Sequence, residues 1–242
     1  MSYRWWVAVG VLLAFAVSRL QREERPDLAA QRPVLLLAAV LGAVLGSFLF
    51  ELPADRYGWT AGLDGDAAGQ GLLLGRTVLG GLIGGWLAVE AVKARLGVRG
   101  ATGDGFALPL ACALAFGRLG CAVAGCCAGS ECAADAWWRS VAVIDMHGVW
   151  RFPAPYAEAV FHAMAAGVLL LCAHRGWARG RRLAAYLAIY ALVRFALEGV
   201  RMNPPLAGGL TYYQFLALAL LALAGGTWWR RRRERTVAPS AG

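Results

Sequence analysis

Seven long apolar stretches, parted by short charged loops, constrain this chain more than any other feature. They cover residues 3–17, 34–50, 71–92, 105–127, 156–173, 183–200 and 209–229. A hydrocarbon layer about 30 Å thick needs about 20 apolar residues in a helix. Inside it every backbone polar group must find its partner within the protein. The pattern predicts an all-α integral membrane protein, a bundle of seven transmembrane helices. Composition agrees: 59% of the residues are hydrophobic and 16% charged, against about 25% charged in an ordinary soluble domain. One membrane domain is expected over residues 1–235, with a flexible tail over 236–242.

The loops carry charge in alternation. Residues 19–32 include Arg19, Arg22, Arg25 and Arg32; residues 93–104 include Lys93, Arg95 and Arg99; residues 174–182 are basic, and Arg230–Arg233 follow the last stretch. The loop over 51–70 has Glu51, Asp55, Asp64 and Asp66 against Arg56, and the loop over 128–155 is mixed. Basic loops stay in the cytoplasm, so the N-terminus is expected outside and the C-terminus in the cytoplasm. An odd number of spans is what that orientation requires. The net charge of +9 then reflects topology and contact with anionic lipid, and no nucleic-acid partner is expected. The first stretch lacks the basic start and small-residue cleavage site of a signal peptide and reads as an anchor.

Charges inside the apolar stretches point to a site. Arg118 lies in Gly117-Arg118-Leu119-Gly120-Cys121, within a run that begins near Phe106. A guanidinium in lipid costs about 2.5–3.5 kcal/mol on insertion scales. Two readings fit it: an arginine that snorkels to the head groups, or a group that grips an anion such as phosphate. In the sixth stretch Tyr190, Arg194 and Glu198 recur every four residues, and Arg201 continues that face. The row is either a self-neutralising pair that joins helices or the polar wall of an anion-binding cavity. Glu158 opens the fifth stretch, where it either complements the helix dipole or faces the cavity; His162 follows it by four residues. Gly80 and Gly81 belong to a glycine run that serves helix packing or close approach of a lipid. Cys121, Cys126 and Cys127 are either small packing residues or reactive thiols. No second CxxC or CxxH follows them, so neither a metal ion nor another cofactor is expected.

These pieces, in this order, resemble the prolipoprotein diacylglyceryl transferase family. The resemblance runs over about residues 74–218 and rests on several segments. They are Gly80-Gly81-Leu82-Ile83-Gly84, Asp104 with Pro109, Gly117-Arg118-Leu119-Gly120, and Pro153 through Glu158-Ala159. Tyr190-xxx-Arg194-xxx-Glu198-xx-Arg201 and Thr211–Gln214 complete them. It implies a membrane transferase that moves a diacylglyceryl group from phosphatidylglycerol to an acceptor thiol, most simply the lipobox cysteine of a prolipoprotein. It also implies the bacterial cytoplasmic (inner) membrane. Under it, Arg118, Arg194, Glu198, Tyr190 and Glu158 are expected to be catalytic. Gly80, Gly81, Arg201, Asp104, Cys121, Cys126 and Cys127 are expected to bind substrate. The chain departs from the family in places. Leu79 stands where a histidine is common, Cys121 where Asn follows Gly-Arg-Leu-Gly, Cys126 where Glu follows, and Ala157 where Tyr precedes Glu. Two alternatives stay open: the same phospholipid-binding scaffold with another acceptor, such as a small-molecule thiol, and a lipid-binding membrane protein without catalysis.

Overall fold

The computed structural model describes residues 3–21, 28–59, 77–127, 129–145 and 147–237. The chain is mostly helical: α1 (Tyr3–Leu20), α2 (Arg32–Leu49), α3 (Leu52–Tyr57), α4 (Val78–Arg95), α5 (Asp104–Val123), α6 (Ala154–Arg175), α7 (Arg182–Glu198) and α8 (Tyr212–Val237). Among the described residues, α1, α2 with α3, α5 and α6 are long and apolar enough to cross a membrane. Leu36, Leu37, Val40, Leu41, Leu45 and Val168 are exposed, and they lie on these helices. An outer surface of this kind suits lipid rather than water. Asp64, Asp66 and residues 71–76 of the third stretch lie outside the described residues, and so does most of the tail.

The chain divides into two compact units. The first comprises residues 1–24, 101–201 and 224–242. Within it α1 lies on α5, where Gly120 leaves room for the Trp6 side chain: a Cβ there would stand 2.7 Å from the Trp6 Cβ. The fourth apolar stretch stops being helical at Val123, earlier than the sequence pattern predicts. Gly125 takes a left-handed conformation (φ 69°). Its N–H donates to the Ala122 carbonyl (3.2 Å), and the Cys126 N–H donates to the Cys121 carbonyl (3.1 Å). This pair of bonds is a Schellman motif. It turns the chain back on itself, which apolar periodicity does not report.

The loop after α5 has more structure than its composition suggests. A small antiparallel hairpin pairs β1 (Val143–Ile144) with β2 (Trp150–Arg151). Asp145 closes it by accepting the N–H groups of His147 (2.8 Å) and Val149 (2.9 Å), and it pairs with Arg151. The Ser130 N–H donates to the Val200 carbonyl (2.7 Å) and the Gly129 N–H to the Phe152 carbonyl (2.9 Å), which ties the loop to the end of α7.

The second unit comprises residues 25–100 and 202–223. In it α2 and α4 cross at very close range through Gly42, Gly46, Gly80 and Gly84. A Cβ on Gly80 would stand 2.7 Å from the Gly46 carbonyl oxygen and 2.7 Å from the Phe50 Cβ, and one on Gly42 would stand 2.6 Å from the Gly84 carbonyl oxygen. Small residues permit this approach. Thr211 and Gln214 form a capping box at the start of α8. The Gln214 side chain accepts the Thr211 N–H (2.9 Å), and the Thr211 hydroxyl accepts the Gln214 N–H (3.3 Å). The adjacent tyrosines anchor that end: Tyr213 donates to Glu51 (2.7 Å) and Tyr212 to the Phe50 carbonyl (2.6 Å). The seventh apolar stretch begins at Tyr212 rather than residue 209, and its helix continues through the arginines to Val237.

Two predictions follow from these local arrangements. Gly80→Leu overfills the α2–α4 crossing and should cost at least about 1–3 kcal/mol, read as a lower midpoint of thermal unfolding in detergent. Asp145 is held down to about 2, first by the Val149 N–H and then by Arg151 and the His147 N–H. Its contribution to the hairpin is complete above the ordinary value of 3.8 and disappears as pH falls through about 2. Amide exchange at His147 and Val149 should therefore accelerate only in strong acid, and Asp145→Asn should remove that dependence.

Candidate active site

The first unit gathers its buried charges around Glu158. Position 158 falls past the first turn of α6 and its side chain is fully buried, so the helix-dipole reading gives way to pairing across helices. Arg118, on α5, places its Nε 2.8 Å from Glu158 Oε2. From α7, the Tyr190 hydroxyl donates to the same oxygen at 3.0 Å. Arg201, just past α7, places Nη1 3.6 Å from Glu158 Oε1. Glu198 accepts from Arg194 Nη1 at 2.5 Å, one turn earlier on α7, and lies 3.9 Å from Arg201 Nε. Arg118, Arg194, Tyr190 and Glu198 are all buried, so Arg118 does not snorkel.

Local sequence explains the convergence. Residues four apart share a helix face, so Tyr190, Arg194 and Glu198 point the same way from α7. Among the described residues three guanidiniums meet two carboxylates here, a surplus of one positive charge. Isolated charges would not persist in so apolar a setting; paired and hydrogen-bonded ones do. A guanidinium surplus favours an anion over a cation, and planar guanidinium suits phosphate in particular.

Other expected site residues fall in different places. Asp104, at the first position of α5, is about 21 Å along the helix from Arg118. Its carboxylate accepts the Arg182 N–H (3.0 Å) and the Gly180 N–H, which fastens the α6–α7 turn to the start of α5. Gly80 and Gly81 belong to the second unit, where both face α2. Cys121 follows Arg118 by one turn, and the reversal at Gly125 brings Cys126 and Cys127 back to it. Their three sulfur atoms lie within 4.8 Å of one another.

Two residues join this neighbourhood that the sequence did not mark as functional. His162 is completely buried, its Nδ1 2.8 Å from the Tyr186 hydroxyl and its ring 4.6 Å from that of Tyr190. Tyr186 continues the four-residue rhythm of α7 by one step back, and His162 is one turn beyond Glu158. The periodic signal was there, but it does not separate a buried histidine from an interfacial one.

A family model described as prolipoprotein diacylglyceryl transferase matches residues 1–230. The chain belongs to the prolipoprotein diacylglyceryl transferase family. Among its relatives, the phosphatidylglycerol–prolipoprotein diacylglyceryl transferase 2 of Clostridium perfringens is 25% identical over 235 residues, covering 91% of this chain and 86% of the relative. The phosphatidylglycerol–prolipoprotein diacylglyceryl transferase of Dehalococcoides mccartyi strain 195 is 26% identical over 245 residues, covering 97% and 92%. Strain BAV1 of that species has one 25% identical over 242 residues, covering 96% and 90%. The match spans both units, so the transferase family accounts for nearly the whole chain, and this is a multi-pass membrane protein.

The cluster predicts an order of stabilities. Glu158→Gln leaves the buried Arg118 without its counter-charge and Arg201 with Glu198 alone, and should cost about 3–5 kcal/mol. Tyr190→Phe removes one hydrogen bond to a charged group and should cost about 1.5–3 kcal/mol. Thermal unfolding of the detergent-solubilised variants checks the order; equal midpoints for Glu158→Gln and wild type would contradict the pairing.

Proposed function

We propose that this protein transfers a diacylglyceryl group from phosphatidylglycerol to the lipobox cysteine of prolipoproteins, at the outer leaflet of the bacterial inner membrane. The observation that carries the reading is the cluster of buried Arg118 and Arg194 with half-buried Arg201, and its surplus positive charge, in a chain of the transferase family. Seven spans are proposed, with the N-terminus outside and the C-terminus in the cytoplasm; the alternation of basic and acidic loops supports this. The Cys126–Cys127 end of the fourth stretch then lies towards the outer side.

The chemistry follows from charge. The acceptor sulfur forms a bond to the glyceryl carbon that carries the phosphate, and that carbon–oxygen bond breaks. A thioether forms and glycerol phosphate leaves. In phosphatidylglycerol the phosphate carries one negative charge; as it leaves it gains a second. Arg118 and Arg194 therefore bind the leaving group more tightly than the substrate, which is the condition for accelerating a reaction. The thiol proton can depart with the phosphate monoester, whose second ionisation lies near 6. Glu158, Glu198 and Tyr190 fix the guanidiniums in place so that no reorganisation is needed during the step. A donor-facing role for Gly80, Gly81 and Asp104 rests on the family resemblance.

A second acceptor class is favoured by one observation: Cys121 and Cys126 occupy the places of the family's Asn and Glu. The deciding experiment supplies acyl-labelled phosphatidylglycerol and a synthetic lipobox peptide to the purified protein and weighs the peptide. The expected result is a mass gain of one diacylglyceryl group, with the rate reduced about 10²–10³-fold in Arg194→Ala and in Arg118→Ala. Full activity in Arg194→Ala would sink the assignment. Consumption of donor with an unmodified peptide would direct the search to another acceptor.

A further inference from the structure

We propose that Cys121, Cys126 and Cys127 form a binding site for one divalent thiophilic metal ion of the zinc type, held by three thiolates beside the arginine cluster. As a linear pattern, C-x4-C-C is no zinc signature. The site arises from the fold: the Schellman reversal at Gly125 returns the two later cysteines to the last turn of α5. The three sulfur atoms already lie within 4.8 Å of one another. Tetrahedral zinc–sulfur bonds of about 2.3 Å place sulfurs about 3.8 Å apart, so side-chain rotations of about an ångström close the site. Cys127 adopts a left-handed backbone (φ 60°), uncommon outside glycine and a conformation that tends to be kept where a site needs it.

Charge selects the ion. Thiolates are soft ligands and prefer zinc or copper(I) to magnesium or calcium. A divalent ion with three thiolates carries a net charge of minus one. The three guanidiniums and two carboxylates next to it carry plus one, and the charges of Arg118 and Arg201 both act on Cys127. Beside these guanidiniums a divalent ion leaves the three-thiolate site at minus one, where a monovalent ion would leave it at minus two. Cys121 is buried, while Cys126 and Cys127 are half-buried beyond the helix end. Cys126 lines a recess with Gly125, Asp145 and Tyr156, which supplies an entry path. Among the described residues no fourth His, Cys, Asp or Glu joins the group, so the fourth position falls to water or an exogenous ligand.

The site uses thiols that the transfer reaction as proposed does not require, so the two readings can be tested apart. The full-length protein, purified in detergent under reducing conditions and stripped with a chelator, is titrated with cobalt(II) as a spectroscopic probe. One cobalt per chain is expected, with an intense thiolate-to-cobalt charge-transfer band that an equivalent of zinc abolishes. Cys126→Ser and Cys127→Ser should each weaken binding by about 100-fold or more, beyond the 10–100-fold that changes around a ligand produce. Cys132→Ser and Cys172→Ser should bind like wild type, which controls for folding and for nonspecific thiols. Arg194→Ala should keep the charge-transfer band even with transfer slowed about 10²–10³-fold, so loss of transfer alone leaves the metal site standing. The proposal is overturned by the absence of a thiolate band in protein with all six thiols free. It is equally overturned by wild-type binding in Cys126→Ser, by uptake of copper(I) alone, or by a disulfide joining two of the three cysteines in the native protein.

Discussion

The ion pair between Arg118 and Glu158 is the interaction on which this structure depends. Each partner alone would be a severe liability in an apolar bundle; Tyr190 donates a hydrogen bond to Glu158 Oε2, and Arg201 adds a second positive charge 3.6 Å from Oε1. The pair joins α5 to α6, and Tyr190 and Arg201 bring α7 and its end to the same point. Glu158 is thus where three segments of the first unit agree on their positions. A hydrophobic contact could hold these helices equally well. What it could not do is leave a net positive charge in a buried place.

That surplus links stability to chemistry. A cluster with as many carboxylates as guanidiniums would only join helices; one guanidinium more makes it receptive to an anion. In the proposed reaction the phosphate leaves with growing charge, and guanidiniums already fixed in place would answer that growth without solvent rearrangement. In that proposal the glutamates and Tyr190 hold the arginines still. The second unit does different work: its glycines let α2 and α4 approach until backbone meets backbone, and the tyrosines at the start of α8 tie that helix to Phe50 and Glu51.

Much of the site could be read from the sequence because helices make side-chain direction a matter of counting. Tyr190, Arg194 and Glu198 had to share a face, and a charged row on an apolar helix had to be buried against something. Arg118 was conspicuous for the same reason. Counting failed for Glu158, whose partner is 40 residues away in the chain, and for Asp104, which caps a turn at the far end of α5. His162 and Tyr186 matched the period but carried no sign of being paired. The hairpin at Asp145 went unread because two-residue strands are below what alternation can show.

The sequence by itself determined the membrane setting, the helical stretches, the faces that carry charge and the family, since each depends on composition or on spacing along one helix. Only the tertiary structure decided which charge meets which, that the guanidiniums outnumber the carboxylates where they meet, and that three cysteines without a metal-binding spacing share one small volume. The physical reason is that period and hydropathy act within a segment, while pairing depends on how helix ends are capped and turned. One glycine in a left-handed conformation at position 125 brings Cys126 and Cys127 back to Cys121, and no count along the chain contains that reversal.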